Sequence, residues 1–377
     1  MFSPQRQSNG RRRHRPSARR TQVQPWMLWT AVILAVAALA LGIYLIFLRP
    51  YHVDKNLTQL GFGPDANWTT TSDTLYYTQG SQLYASNFRN QEKWNTTTST
   101  DGMRVSASSK QVAVYSDTQV QCYDASSNLK YAKEFVGAIQ SVRCGDTYLA
   151  VHVKESSGLY RLVVLDAAGN DHNISLEGKY VVDYGYYQGD NLYLHTLDGL
   201  SVTPSAMIET MDGSLNSTGK ISIQGQLLQN IVFFPDHLYA VGTNHLYDIG
   251  YVGDQRDSKL IYGWNYFGYV QPKNGEPMFA FVPGGAFSGS ENITTVRLCS
   301  LSGSDVYIQM KANTRFVFMG NGKLFTIAES VLTSYDLTGK ETGSYQLPFA
   351  PQKIHSVGSG SHIGLSTADA VYLLKLP

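Results

Sequence analysis

The most constraining feature of this sequence is a β-hairpin that recurs about every 40 residues, from residue 73 to the C-terminus. Each unit has a short run rich in Val, Ile, Tyr, Phe and Leu, then a polar turn and a second such run, which is the pattern of paired β-strands. The first runs are DTLYY (73–77), KQVAVY (110–115), DTYLAVHV (146–153), DNLYLH (190–195), DHLYAV (236–241), EPMFAFV (276–282), GKLFTIA (322–328) and SHIGLS (361–366).

A period near 40 residues built only from hairpins predicts an all-β protein, a β-propeller in which each unit forms one four-stranded blade. Leucine-rich repeats have shorter periods, and helical repeats need helices. A blade has apolar side chains on both faces, so it becomes stable only when neighbouring blades cover them. Eight units predict eight blades, with seven as the alternative.

The fourth unit is the least regular. Its second run lies around LDGLSVT (197–203), and we interpret the PSAMIETM that follows (204–211) as an insertion of one or two helical turns.

The last unit ends one strand short. Val371–Leu376 should be the third strand of its blade, and the chain stops at Pro377. A ring that lacks one strand can be completed by a segment from the other end of the domain. We expect residues 52–60 or Trp68–Thr71 to supply this closing strand.

An Asp-x-x-Gly phrase follows several of the second runs, most clearly in VLTSYDLTGKE (331–341). Asp336 can accept hydrogen bonds from the backbone two residues on, and Gly339 can adopt the positive φ of a turn with a bulge. Asp166 begins a similar turn, and Asp124 begins a third that has Asn at its fifth position. We predict a structural joint between the third and fourth strands of a blade, not a catalytic or metal site.

The N-terminal 48 residues predict a membrane anchor. Trp26–Leu48 has no charged residue, and a helix of this length spans roughly 34 Å, enough to cross a bilayer core of about 30 Å. The preceding residues 1–25 have no acidic residue, and their seven arginines predict a cytoplasmic N-terminus. These arginines are Arg6, Arg11, Arg12, Arg13, Arg15, Arg19 and Arg20.

The sequence therefore predicts four parts. They are a basic cytoplasmic tail (1–25), a single-pass signal-anchor helix (26–48), a juxtamembrane linker that could provide the closing strand (49–66) and an extracytoplasmic propeller (67–377). A cleaved signal peptide is the less favoured alternative, because the small-x-small triplets lie inside the apolar run. Ala31, Ala35, Ala38 and Gly42 would allow a homodimer through the anchor helix, but ordinary alanine abundance explains them better.

The charge balance argues against nucleic acid as a partner of the predicted extracytoplasmic part. The chain has 30 basic and 29 acidic residues, so without the seven N-terminal arginines 23 basic residues face 29 acidic ones. The basic footprint on which nucleic-acid binding depends is absent.

The repeat units resemble PQQ-like and YVTN-type β-propellers, in phrases such as DTLYY…QLYAS, DHLYAV…NHLYDIG and KLFTIAESVLTSYDLTGK. With the basic tail and signal anchor, the chain resembles a family of bacterial membrane-anchored propeller proteins. The resemblance covers nearly the whole chain and implies an envelope location but no activity. The tryptophan docking motif of quinoprotein dehydrogenases is incomplete in this sequence, because Tyr345 lies near the position of the motif's tryptophan.

The sequence contains no catalytic or metal-binding motif, so we predict no cofactor, no metal and no catalytic residue. The histidines are scattered. Cys122, Cys144 and Cys299 fit no metal spacing; the first two could pair, although small apolar fillers on strands are the favoured interpretation.

Two hypotheses for function follow. In the first, the propeller is a non-enzymatic scaffold that binds an envelope protein or a cell-wall component; in the second, it is an enzyme of the quinoprotein or hydrolase type with polar groups converging on the axial channel. Aromatic residues in two clusters would suit partner binding, with packing between blades as the favoured alternative. They are Tyr184, Tyr186, Tyr187, Trp264, Tyr266 and Phe267.

Overall fold

A computed structural model describes residues 25–44, 53–198, 202–286, 292–358 and 360–377. The chain divides into two compact units at Tyr51/His52. In the first unit, helix α1 spans Pro25–Ile43, which is 19 residues. Within the described ranges no helix has both the length and the hydropathy needed to cross a membrane. The predicted basic tail up to residue 24, and residues 45–48 of the predicted span, lie outside the described residues.

The second unit is a ring of antiparallel four-stranded sheets, and the described residues form eight of them. The prediction of eight blades is confirmed, and the alternative of seven is wrong. Strand β1 (Leu57–Gln59) follows a short 3-10 turn at Val53–Asn56 and precedes the first complete blade. Within blades 1 to 7 the strands pair in chain order, and in blade 8 the last three strands of the chain pair in order and are followed by β1. The first strands of neighbouring blades lie against one another, which places them around the axis and the fourth strands outermost.

Blade 1 consists of β2 (Trp68–Thr70), β3 (Thr74–Gln79), β4 (Gln82–Asn87) and β5 (Glu92–Thr97), and blade 2 of β6 (Arg104–Ala107), β7 (Gln111–Tyr115), β8 (Gln119–Asp124) and β9 (Leu129–Glu134). Blade 3 consists of β10 (Ala138–Cys144), β11 (Leu149–Lys154), β12 (Tyr160–Leu165) and β13 (Asp171–Ile174), and blade 4 of β14 (Tyr180–Tyr187), β15 (Asn191–Asp198), β16 (Ser205–Met211) and β17 (Ser217–Gln224).

Blade 5 consists of β18 (Leu228–Phe233), β19 (His237–Gly242), β20 (His245–Gly250) and β21 (Gln255–Leu260), and blade 6 of β22 (Trp264–Val270), β23 (Met278–Pro283), β24 (Thr295–Cys299) and β25 (Val306–Gln309). Blade 7 consists of β26 (Thr314–Gly320), β27 (Lys323–Ala328), β28 (Val331–Tyr335) and β29 (Glu341–Gln346). Blade 8 consists of β30 (Lys353–Ser356), β31 (His362–Ser366) and β32 (Val371–Lys375), completed by β1.

The ring is closed by its two ends. Strand β1 pairs with β32, with Leu57 opposite Leu374, and the N–H of Leu60 donates to the carbonyl of Val371 at 2.9 Å. The first of the two predicted closing segments, residues 52–60, is therefore confirmed. The second is wrong, because Trp68–Thr70 is the first strand of blade 1.

The predicted insertion in the fourth unit is also wrong. Residues 205–211 are β16, the third strand of blade 4, and they pair with a strand on both sides. The segment alternates as a strand does, with Ala206 and Ile208 fully buried and Met207 and Glu209 less so. By composition, the short run of apolar residues around Met207 is equally compatible with a helix or a strand. Its pairing with β15 and β17 shows that it is a strand.

Each buried apolar cluster joins residues of two adjacent blades, as expected for sheets that cannot bury both of their faces alone. All three cysteines are free. The thiol of Cys122 donates to Gln111 at 3.4 Å and that of Cys144 to the carbonyl of Ser106 at 3.2 Å. The cysteines are therefore part of the packing, and Cys122 and Cys144 do not pair.

The Asp-x-x-Gly motif forms a structural turn between the third and fourth strands of its blade, as predicted. Asp336 Oδ1 accepts from the backbone N–H groups of Thr338 at 2.9 Å and Lys340 at 3.0 Å, and Gly339 has a φ of +87°. The same turn joins the third and fourth strands of several other blades. Those turns begin at Asn87, Asp124, Asp166 and Asp212.

Replacing Asp166 should make stability less sensitive to acid. The side-chain amide of Asn170, with backbone N–H groups of Asn170 and Ala168, lowers the pKa of Asp166 to about 2. Because the folded pKa lies below the unfolded value of about 3.9, this stabilisation is complete above that value and is lost as the pH falls towards 2. We expect Asp166→Asn to unfold at lower urea than the wild type at pH 6 and at the same urea near pH 2.

The matched control is Asp101→Asn, at an exposed loop carboxylate, which should leave the urea midpoint unchanged at both pH values. A deficit of Asp166→Asn that stays constant across the range would contradict the assignment.

Candidate functional site

The first strands of the eight described blades contain one carboxylate and several basic side chains, among them Arg104, Arg143 and Arg315. Asp183 is the one carboxylate on the first strands of the eight described blades, and it accepts a hydrogen bond from the Tyr193 hydroxyl at 2.7 Å. Among the described residues, no three His, Cys, Asp or Glu side chains are close enough to share a metal ion. A pair of carboxylates for general acid–base catalysis is therefore not assembled there.

The arginine at the start of β6 is used to join blades. The Arg104 guanidinium lies 4.6 Å from the centroid of the Tyr115 ring. It donates to the carbonyl of Ile139 in blade 3 at 3.1 Å and to Asp117 at 3.1 Å. These contacts connect blades 2 and 3, so the position of Arg104 is explained by the fold.

The first aromatic cluster lies on β14, at the axis side of blade 4. Tyr184 is only 3% exposed, its hydroxyl is hydrogen-bonded to that of Ser141 at 2.8 Å, and burial raises its pKa to about 12. Burial also raises the pKa of Tyr186. Tyr187 stacks on Phe233 of blade 5, with ring centroids 4.2 Å apart. These rings pack between blades.

The second aromatic cluster lies on β22, in blade 6. Trp264 faces the guanidinium of Arg297 at 5.7 Å, Tyr266 is 6.0 Å from Phe281, and Phe267 packs against the cluster between blades 6 and 7. All three side chains are partly buried. They too occupy packing positions, and a partner contact by any of the six predicted aromatics stays a prediction.

The exposed apolar side chains of the ring are concentrated on one of its faces. We define the upper face by the loops between the second and third strands of each blade and the loops that join one blade to the next. The lower face has the remaining turns. Strand β1 runs from the lower to the upper face, because Leu57 pairs at the end of β32 that lies beside the lower face. The chain therefore enters the ring through the lower face.

Nine of the 13 large apolar side chains that are exposed on the described part of the ring lie at or next to upper-face loops, all of them from the blade 2–3 junction to the blade 5–6 junction. We call this set the apolar arc. The described loops of blades 7, 8 and 1 add no exposed large apolar side chain to this face. The arc consists of Val136, Leu159, Tyr160, Tyr180, Val182, Val202, Leu227, Leu260 and Tyr262.

A groove of about 870 Å³ lies within the apolar arc, between blades 3 and 4. Its walls come from the hairpin loop of blade 3 (155–159), the start of β12 and the loop that leads to β14 (175–179). Leu159 is 68% exposed and Tyr180 65% exposed on its two sides.

Sequence reasoning missed most of the arc because its members are single apolar residues within polar loops. None of the six aromatics that the sequence singled out belongs to the arc, although Tyr262 lies two residues before Trp264. A weaker signal was available: Leu159 directly follows a turn glycine, Gly158, whose φ is +85°.

The fold defines the class of protein: an eight-bladed, four-stranded β-propeller. No family model matches the chain, and no curated protein matches it. Similar solved structures include the Dos1 propeller, with 10% identity, a TM-score of 0.56 and coverage of 85% of this chain and 96% of that one. BamB from Moraxella catarrhalis has 12% identity, a TM-score of 0.53 and coverage of 85% and 98%.

A structure described as the eukaryotic initiation factor has 9% identity to this chain and a TM-score of 0.55, with coverage of 83% of this chain and 85% of that one. At such low identities, these similarities establish the propeller fold alone.

Proposed function

We propose that this chain is a membrane-tethered, extracytoplasmic propeller that binds an envelope protein through the apolar arc and catalyses no reaction. The observation that carries the proposal is the concentration of exposed apolar side chains, nine of 13 on the described part of the ring, in one part of one face. Exposed apolar side chains gathered on one surface of a domain commonly mark a protein-binding site, because their exposure to water is unfavourable.

The tether is supported by the sequence. Residues 26–48 are uncharged and follow seven arginines, and the remainder of the chain has an excess of acidic residues. On this basis we place the N-terminus in the cytoplasm and the propeller outside the membrane. The arrangement of basic tail, apolar segment and propeller resembles that of bacterial membrane-anchored propellers, which supports an envelope location.

A protein partner fits the arc better than a cell-wall glycan does. Apart from the rings of Tyr160, Tyr180 and Tyr262, the members of the arc are valines and leucines, and aliphatic side chains do not stack on sugars. An enzyme of the quinoprotein or hydrolase type is the second candidate. It has less support, since Asp183 is the one carboxylate on the described axial strands and Arg104 on those strands joins two blades.

Photo-crosslinking in the cells that naturally make the full chain tests the proposal. A photoreactive residue at Leu159, Val202 or Tyr262 should give one shared crosslinked protein, because these positions lie on the same arc. The control positions are Val252 and Leu129, which are 82% and 53% exposed and lie away from the upper face. They should not give this product. Equal crosslinking at arc and control positions, or no product at any arc position, would overturn the proposal.

A further inference from the structure

One end of blade 3 lacks the pairing that its neighbours have. In blades 1, 2, 4, 5, 6 and 7 the residue after the fourth strand donates its N–H to the carbonyl just before the third strand. In blade 2, for example, Phe135 donates to Thr118 at 2.8 Å. In blade 3 the pairing of β12 with β13 ends at Leu162 and Ile174, and no described residue after Ile174 makes the closing bond.

At this end of blade 3, the backbone N–H and C=O groups that remain unpaired face the groove of the apolar arc. The carbonyl of Leu159 accepts from Glu155 at 2.8 Å, on the side of β11. Since hydrogen-bonding direction alternates along a strand, the N–H and C=O of Tyr160, the first residue of β12, face the opposite side. The register would place Leu176 opposite Tyr160, but no backbone hydrogen bond joins these two residues. The carbonyl of Leu176 instead accepts from Lys179 at 3.0 Å, in the turn that leads to β14.

Apart from the exposed carboxylate of Glu177, the charged side chains around these backbone groups are paired, and Lys179 lies 3.0 Å from Glu209. Leu159, Tyr160 and Tyr180 are exposed at the rim of the groove, at 68%, 45% and 65%. Arg161 lies 3.3 Å from Glu155 in an ion pair and donates to Asn173 at 3.3 Å. The groove therefore offers backbone hydrogen bonds flanked by apolar surface, with little unbalanced charge.

We propose that this groove binds an extended segment of the partner protein, which pairs with the backbone of Tyr160 in place of the missing end of the fourth strand. Side chains alternate along an extended segment, so apolar residues at every second position would contact Leu159 and Tyr180. Adding a strand to an open sheet edge is an established mode of peptide recognition. The proposal rests on the proposed function, because it specifies which kind of segment the arc accepts.

A random nine-residue peptide library selected on the full chain in detergent micelles tests this inference. Selected peptides should be uncharged at the centre, with apolar or aromatic residues at alternate positions. N-methylation of a selected peptide at one backbone nitrogen after another should weaken binding about tenfold at bonding positions and little at the positions between them, since it removes the donor and blocks close approach.

Variants of the chain test whether the selected peptide binds in this groove. Tyr160→Pro removes the N–H that faces the groove, and Leu159→Asp places a charge at its rim. Both should weaken binding about tenfold or more, whereas Val252→Asp on the lower face should not change it. The N-methylated peptides leave the protein intact, so they decide the question even if Tyr160→Pro fails to fold.

Three results would overturn the inference: no peptide selected above background, selected peptides that are insensitive to N-methylation, or occupation of the arc by phosphatidylglycerol vesicles or a second copy of the chain instead of peptides. If arc positions still crosslink to one protein while no peptide is selected, the proposed function stands and this inference alone fails. If neither is observed, both fail.

Discussion

A propeller that begins at residue 61 is expected to be less stable than one that begins at residue 53 by about 5 kcal/mol. The truncation removes strand β1, whose pairing completes blade 8. It also removes the side chains of Val53 and Leu60, which are only 5% and 4% exposed. Burial of each such side chain contributes about 1.5–3 kcal/mol, and each lost strand hydrogen bond about 1 kcal/mol.

Urea unfolding followed by tryptophan fluorescence measures the difference. The two proteins are a matched pair, because both lack the segment before the ring and they differ only in residues 53–60. The shorter protein should also self-associate, because the edge of β32 is then uncovered. Equal urea midpoints for the two proteins would show that β1 does not close the ring.

Phe281→Ala is expected to destabilise the ring by about 3–5 kcal/mol, the usual cost of a large cavity in a packed core. Phe281 lies on β23 of blade 6 and is fully buried. It belongs to the cluster that joins blade 6 to Tyr239 and Leu246 of blade 5. The cavity therefore opens between two blades, so the loss should appear in the unfolding of the whole ring.

The control is Tyr307→Ala, on the outermost strand of the same blade. Tyr307 is 55% exposed, so its replacement should change the free energy of unfolding by about 0.5 kcal/mol or less. Equal losses for the two variants would contradict an inter-blade core at Phe281.

The architecture was predictable because it is repeated. The strand-and-turn pattern occurs eight times, so one misread unit, the fourth, did not alter the outcome. Ring closure followed from a missing strand at the C-terminal end, and the turn at Asp336 followed from the conformational preferences of Asp and Gly. The turn was predictable from local residue preferences, and the blade number and ring closure were predictable by counting the repeated units.

The candidate site was not predictable in the same way. The six aromatics, for example Tyr184 and Phe267, were conspicuous by composition, and the structure places them between blades. Leu159 and Val202 are single apolar residues in different loops, and only closure of the ring brings such loops onto one face. The open end of blade 3 depends on where pairing stops, at Ile174, which strand propensity does not specify.

Thiol labelling in intact cells tests the central claim, that a partner covers the apolar arc on the outer side of the membrane. The native thiols should not interfere, because Cys122 and Cys299 are fully buried and burial raises the pKa of Cys144 to about 12 and that of Cys299 to about 11. Such thiols contain little of the reactive thiolate at neutral pH. Single cysteines at Leu159, Tyr262 and the lower-face position Val252 can therefore be compared in the full chain.

A membrane-impermeant maleimide should label Val252→Cys equally fast in cells and in the purified chain. It should label Leu159→Cys and Tyr262→Cys at least about tenfold more slowly in cells, because there the partner covers them. Arc cysteines that react as fast in cells as in the purified chain would contradict the binding role. A Val252→Cys variant that reacts only after the cells are permeabilised would contradict the outer location.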